Sequence, residues 1–149
     1  MLPPGVPAFA AAAAAALNQE FTLPNVAQTL ILTRTSTRST PMPAGEDLAT
    51  LGRTGATLAI HLSIMNLDQV SSQLLPLYGE DCPIIVVFRA SWPDERILRG
   101  TLSTIDGMVK ASGIDRNALI LVGRSLGQSP FGESYLYSTA RDRTDTSEE

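Results

Sequence analysis

Little in this sequence can carry acid–base, redox or metal chemistry. Its 149 residues include one cysteine, Cys82, and one histidine, His61. A single cysteine forms no internal disulfide, and one histidine leaves no Cys/His cluster of the zinc-holding kind. Charged residues make up 17% of the chain and aromatic residues 5%, and the net charge is −4. No run of Lys or Arg occurs, so the electrostatic footprint of nucleic-acid binding is missing and no such partner is expected. The longest apolar run, residues 8–17, is mostly alanine; a bilayer-spanning helix needs about 20 predominantly apolar residues. No positive charge precedes that run, and Pro3, Pro4 and Pro7 crowd it, which is not the pattern of a secretory signal. The expectation is a cytoplasmic, metal-free protein without a membrane partner. Neither G-x-G-x-x-G nor G-x-x-x-x-G-K-[ST] is present, which removes the usual sequence basis for dinucleotide or P-loop phosphate binding.

What the chain does have is hydrophobic residues, 44% of the total, arranged in short runs separated by helical spacing. A length of 149 residues suits one domain with its own core. Pro4-Gly5-Val6-Pro7 is rigid turn material leading into an alanine-rich helix over 8–17. Residues 28–34 (QTLILTR) predict a strand followed by a Ser/Thr/Pro/Gly-rich loop. Glu46 and Asp47 open a short helix that stops at Gly52 or Gly55. Residues 57–62 (TLAIHL) predict a second strand, and Leu67–Tyr78, with Asn66 or Asp68 as cap, a helix whose apolar residues fall at 67, 70, 74 and 75. Pro83–Phe88 (PIIVVF) is apolar without alternation, as in a strand covered on both faces, and is the best candidate for a central strand. Residues 95–102 predict a strand with Ile97 inward and Arg96 and Arg99 in water, joined to PIIVVF directly through 89–94 and therefore antiparallel to it. A helix over 104–112 ends at Gly113, and Ala118–Val122 (ALILV) is the last strand, stopped by Gly123. Five strands with intervening helices predict an α/β fold: a mixed, mostly parallel five-stranded sheet flanked by helices. The domain is expected over 1–127, with a polar tail over 128–149.

Individual residues leave alternatives open. His61, inside an apolar strand, is a core or interface side chain or a general base. Cys82, at the start of a strand with no activating histidine nearby in the pattern, is an ordinary thiol rather than a nucleophile. Arg34, Arg38 and Arg53 gather around one loop; they either clamp a polycarboxylate or face water.

The order of segments says more. A Pro-Gly-Val turn and alanine helix, then TLILTR with a Pro-rich loop, GEDLATL, RASWPDE with GTL closely following, and ALILVG resembles the C-terminal half of the tetrapyrrole methylases, the class III S-adenosylmethionine-dependent methyltransferases. The resemblance runs from about Pro4 to about Leu126, and SYLY at 134–137 looks like the family's tail. It implies a methyl transfer from S-adenosylmethionine to a tetrapyrrole precursor of the corrin ring, a homodimer in the full-length enzyme, and an N-terminal domain that this chain lacks. Without that domain the chain is expected to be inactive. It also implies a cofactor site of small or apolar residues at strand ends: Pro7, Ala8, Leu62, Ala90 and Ala118. Pro7 has no backbone N–H to donate there. By charge complementarity to the acidic macrocycle, Arg34 and Arg38 are the candidate substrate contacts. No catalytic residue is named, because aligning an activated methyl with its acceptor works by proximity, orientation and exclusion of water. The rival expectation is a non-catalytic binding or interaction module that keeps the fold without the chemistry.

Overall fold

A computed structural model describes residues 14, 17, 21–35, 41–61, 64–89, 92–116 and 118–128. Each predicted apolar run within them is a strand: β1 (Leu30–Arg34), β2 (Thr57–His61), β3 (Pro83–Phe88), β4 (Arg96–Thr101) and β5 (Ala118–Val122). Between them lie α1 (Leu48–Gly52), α2 (Leu67–Tyr78) and α3 (Ile105–Ser112), with 3-10 turns at Ile64–Asn66 and Arg124–Gln128. Of the predicted alanine helix, Ala14 and Leu17 are helical and the remainder lies outside the described residues, as does the segment 129–149. Asp47 caps α1 as expected, its carboxylate accepting from the Thr50 backbone N–H at 3.0 Å. Asn66 precedes α2 without a side-chain cap bond. Gly113 ends α3 in the left-handed conformation, φ 78°, which glycine adopts at no steric cost.

The strand order is β1-β2-β5-β3-β4, and here the structure corrects the expected mostly parallel sheet. Only β1 and β2 pair parallel; β2–β5, β5–β3 and β3–β4 are antiparallel. The strand–helix–strand reading is right about direction, since β1, β2 and β3 all run one way and β4 and β5 the other. It misses adjacency. The crossover through α2 leaves a gap between β2 and β3, and β5 fills it in the opposite sense, replacing one parallel pair with two antiparallel ones. β3 is interior, bonded on both sides, but the middle position goes to β5, all five of whose residues are buried. The direct β3–β4 connection gives the antiparallel pair foreseen for it.

Side chains alternate between two apolar layers. Leu58, Ile60, Ile84, Val86, Ile120 and Val122 face α1, α2 and α3. Ala59, Ile85, Val87, Leu119 and Leu121 face the other way, against Leu17, Phe21 and Leu126. Leu67, Val70, Leu74 and Tyr78 form the buried stripe of α2. Among the described residues, no helix is long and apolar enough to cross a membrane.

Candidate functional site at one end of the sheet

Register brings the chemistry-bearing residues to one sheet end. Arg34 ends β1 opposite His61 at the end of β2; His61 lies beside Leu119 of β5; Ala118 opens β5 opposite Phe88 at the end of β3; and Phe88 pairs with Arg96 at the start of β4. The carboxyl ends of the three co-directional strands therefore share an edge, the place where open α/β sheets favour ligands. Of the five residues implied for the cofactor, Ala118 is described: it is 4% exposed and its methyl packs into the layer facing the helices, so it offers a ligand its backbone and its small size. Pro7, Ala8, Leu62 and Ala90 lie outside the described residues. In the chain, Leu62 directly follows His61 and Ala90 directly follows Arg89, so two of them succeed residues at this same edge.

Arg34 is exposed and lines a cleft of ≈ 220 Å³ with Thr35, Met42, Asp47, Gln69 and Gln73. Arg38, its expected companion, lies outside the described residues, and Arg53 follows α1 on the way to the opposite sheet end. The Asp47 carboxyl on this cleft sits below its usual range because Thr50 donates to it from both side chain and backbone. His61 is half-buried, and burial first, with Arg34 adding to it, pulls its imidazole below the ordinary 6.5. It is thus held neutral near pH 7, a state that suits a core or interface side chain and a general base alike.

Cys82 is fully buried, its thiol pushed up to about 11 by burial, which removes it from nucleophilic chemistry. A second cleft of ≈ 330 Å³ lies between α2 and α3, lined by Asp68, Asp106, Lys110 and Asp115 among others, with Lys110 paired to Asp106 at 2.7 Å. A third, ≈ 560 Å³, opens at the opposite sheet end beside Pro83 and Thr101. The GTL segment is structural. A Cβ on Gly100 would stand 2.8 Å from the Met108 sulfur and 3.0 Å from the Thr104 hydroxyl, so glycine here lets α3 lie close to β4.

Sequence reasoning passed over one cluster, the turn between β3 and β4. The Arg89 guanidinium lies 5.4 Å from the Phe88 ring centre and 5.2 Å from that of Trp92, and its Nη1 pairs with Asp94 at 2.8 Å. The signal was the juxtaposition of Phe, Arg, Trp and Asp within seven residues of RASWPDE and the strand before it, a spacing at which cation–π contacts form.

Fold and strand order together define an α/β domain with a mixed five-stranded sheet. Residues 2–106 match the family of Tetrapyrrole (Corrin/Porphyrin) Methylases, and the chain belongs to that family. It is 55% identical over 141 residues to the precorrin-4 C(11)-methyltransferase of Rhodococcus erythropolis, an alignment covering 95% of this chain and 56% of that protein. A solved cobalt precorrin-4 methyltransferase, a cobalamin biosynthetic enzyme, superposes with TM-score 0.73 at 40% identity, covering 77% of this chain and 48% of its own. The uroporphyrin-III C-methyl transferase of Thermus thermophilus, solved with S-adenosyl homocysteine, shares the fold with TM-score 0.59 at 22% identity, over 76% of this chain and 50% of its own. The chain spans about half the length of the relatives it matches.

Proposed function

We propose that this chain forms the C-terminal part of a precorrin-4 C(11)-methyltransferase, in which a methyl group passes from S-adenosylmethionine to C(11) of a corrin precursor during cobalamin biosynthesis. The observation that carries the reading is the 55% identity, maintained over 95% of the chain, to a protein of that name. The lower identity, 40%, to an enzyme named for the cobalt-containing substrate favours the metal-free precursor over cobalt-precorrin-4.

Ala118 fits a nucleoside in the manner the family resemblance requires: a buried, small residue at a strand end leaves room for close approach to the backbone. With it, Pro7, Ala8, Leu62 and Ala90 would hold the donor. When bound, S-adenosylmethionine supplies an electrophilic methyl group. The chain's own part is to orient, exclude water and match charge. Arg34 and Arg38 would take macrocycle carboxylates, and the neutral His61 beside Arg34 adds no second positive charge near a sulfonium.

Calorimetry of the chain with S-adenosylhomocysteine tests the donor site: micromolar affinity is expected. No heat at millimolar ligand would favour the other reading, a binding or interaction module that keeps the fold without the chemistry. Methyl transfer to precorrin-4 on adding the N-terminal half of the Rhodococcus erythropolis relative tests the whole reaction, and the chain alone is expected to be inactive.

A further inference from the structure

We propose that the β3–β4 turn is a stacking platform for the face of the tetrapyrrole ring, with Trp92 as the residue that touches it. Trp92 is 60% exposed, the most exposed large apolar side chain among those described. A surface tryptophan without a partner gains nothing from rigidity, yet this one is pinned from several directions. Its backbone N–H donates to the Arg89 carbonyl at 3.0 Å, and its carbonyl accepts from the Glu95 N–H at 3.1 Å. The Arg89 guanidinium, 5.2 Å from its ring centre, is itself fixed by Asp94 at 2.8 Å and by the Phe88 ring behind it. Arg89 adopts φ 49°, the left-handed region that non-glycine residues seldom enter, to bring this about.

The ligand chemistry follows from what remains available. The charge of Arg89 is paired with Asp94, so the turn presents an aromatic face and an indole N–H rather than a free cation. That suits a broad conjugated ring whose carboxylates lie at its periphery. Arg34, on the same sheet edge, stands three strand spacings from Phe88 in the order β1-β2-β5-β3, roughly 14 Å away. A macrocycle seated on Trp92 can extend along the edge toward that guanidinium. The inference rests on the reading of the substrate as a tetrapyrrole, and it goes further by naming the surface that grips the ring.

The test is calorimetric titration of the chain with uroporphyrin III, a planar tetrapyrrole bearing carboxylates, and separately with S-adenosylhomocysteine. Trp92→Ala is expected to weaken uroporphyrin binding about tenfold, whereas Trp92→Phe, which keeps a π-face, stays within about threefold. Both variants should bind S-adenosylhomocysteine as the unsubstituted chain does, which also reports an intact fold. Unchanged uroporphyrin affinity in Trp92→Ala overturns the proposal. So does a selective loss of S-adenosylhomocysteine, which would put the adenine on the indole, and so does an unsubstituted chain that binds S-adenosylhomocysteine but not uroporphyrin. A chain that binds neither ligand overturns the methyltransferase reading together with this inference.

Discussion

Removing two hydroxyl groups far from the candidate site should reveal how the second apolar layer is fastened to the sheet. Thr57 and Ser125 are 0% and 1% exposed. Their hydroxyl oxygens lie 2.8 Å apart, and each is 2.7 Å from the Phe21 carbonyl oxygen. Two hydroxyl protons cannot satisfy three contacts at once, so two hydrogen bonds exist at any moment, and at least one ends on Phe21. Thr57→Val or Ser125→Ala removes one bond, and the surviving hydroxyl still donates to Phe21. Each single change should cost about 1 kcal/mol. The double variant strips both donors from that carbonyl and adds the desolvation penalty of a buried acceptor, about 1–3 kcal/mol. A total of roughly 3–5 kcal/mol is expected, exceeding the sum of the singles by about 1–3 kcal/mol. Urea unfolding of the four proteins with an unchanged slope measures it. Additivity to within about 0.3 kcal/mol would show that the two hydroxyls do not share the carbonyl, and the reasoning would fail.

Three further outcomes are expected. Cys82, buried and with its thiol pushed up to about 11, should resist iodoacetamide in the folded chain and react only as fast as the chain unfolds; labelling at the unfolded rate under native conditions would contradict the burial. His61 has a folded pKa below its unfolded value of 6.5, so below that value the unfolded state binds the proton more readily and stability falls as pH drops through 6.5 toward the folded pKa; His61→Gln should flatten the fall seen in urea melts across that range, and in Arg34→Gln an NMR titration should place the His61 pKa higher but still below 6.5, because burial is the larger cause. Gly100→Ala should destabilise by about 1–2 kcal/mol, since its methyl meets the Met108 sulfur and the Thr104 hydroxyl, and Met108→Ala should recover part of that loss.

Strand positions were legible because each run is continuously apolar or β-branched and bounded by turn residues, and α2 was legible because 67, 70 and 74 repeat at helical spacing. The sheet's inner order was not. ALILV and PIIVVF carry the same apolar signal, and nothing local tells which strand slips between β2 and β3. What decides is burial over the whole sheet, with all five residues of β5 covered where Pro83 and Phe88 at the ends of β3 are only partly so. Arg34 was named by charge complementarity to an acidic macrocycle and Ala118 through the family resemblance, and neither reading placed the two on one sheet edge. Their periodicity places them on strands, but only the register of two pairings, β1 with β2 and β2 with β5, brings β1 and β5 to a common end. Trp92 escaped notice for a different reason. Its partners act through ring faces and a left-handed arginine backbone, and neither leaves a periodic trace in the chain.

The two sheet ends divide the work of the molecule. At the end where β2 and β3 begin, polar groups tie elements together: Thr57 and Ser125 to Phe21, the Tyr78 hydroxyl to the Ala56 carbonyl, and Arg124 to the Tyr78 carbonyl and, at 3.7 Å, to Asp81. Burial pushes the Tyr78 phenol up to about 12, so it stays a neutral donor throughout the range in which the chain would work. Gly123 sits where a Cβ would come within 3.2 Å of the Thr57 backbone, so the 3-10 turn carrying Arg124 and Ser125 can close onto the start of β2. At the other end the side chains point outward with their polar groups partly uncommitted to the core: Arg34 on its cleft, Arg96 reaching the Ser112 carbonyl at 3.1 Å, and Trp92 on its braced turn. A domain that fastens one end and leaves the other exposed keeps the proposed recognition surface away from the bonds that hold it folded. On the proposed reading, substitutions at Trp92 or Arg34 are therefore expected to change binding without unfolding the chain, whereas those at Thr57 or Ser125 are expected to act on stability first.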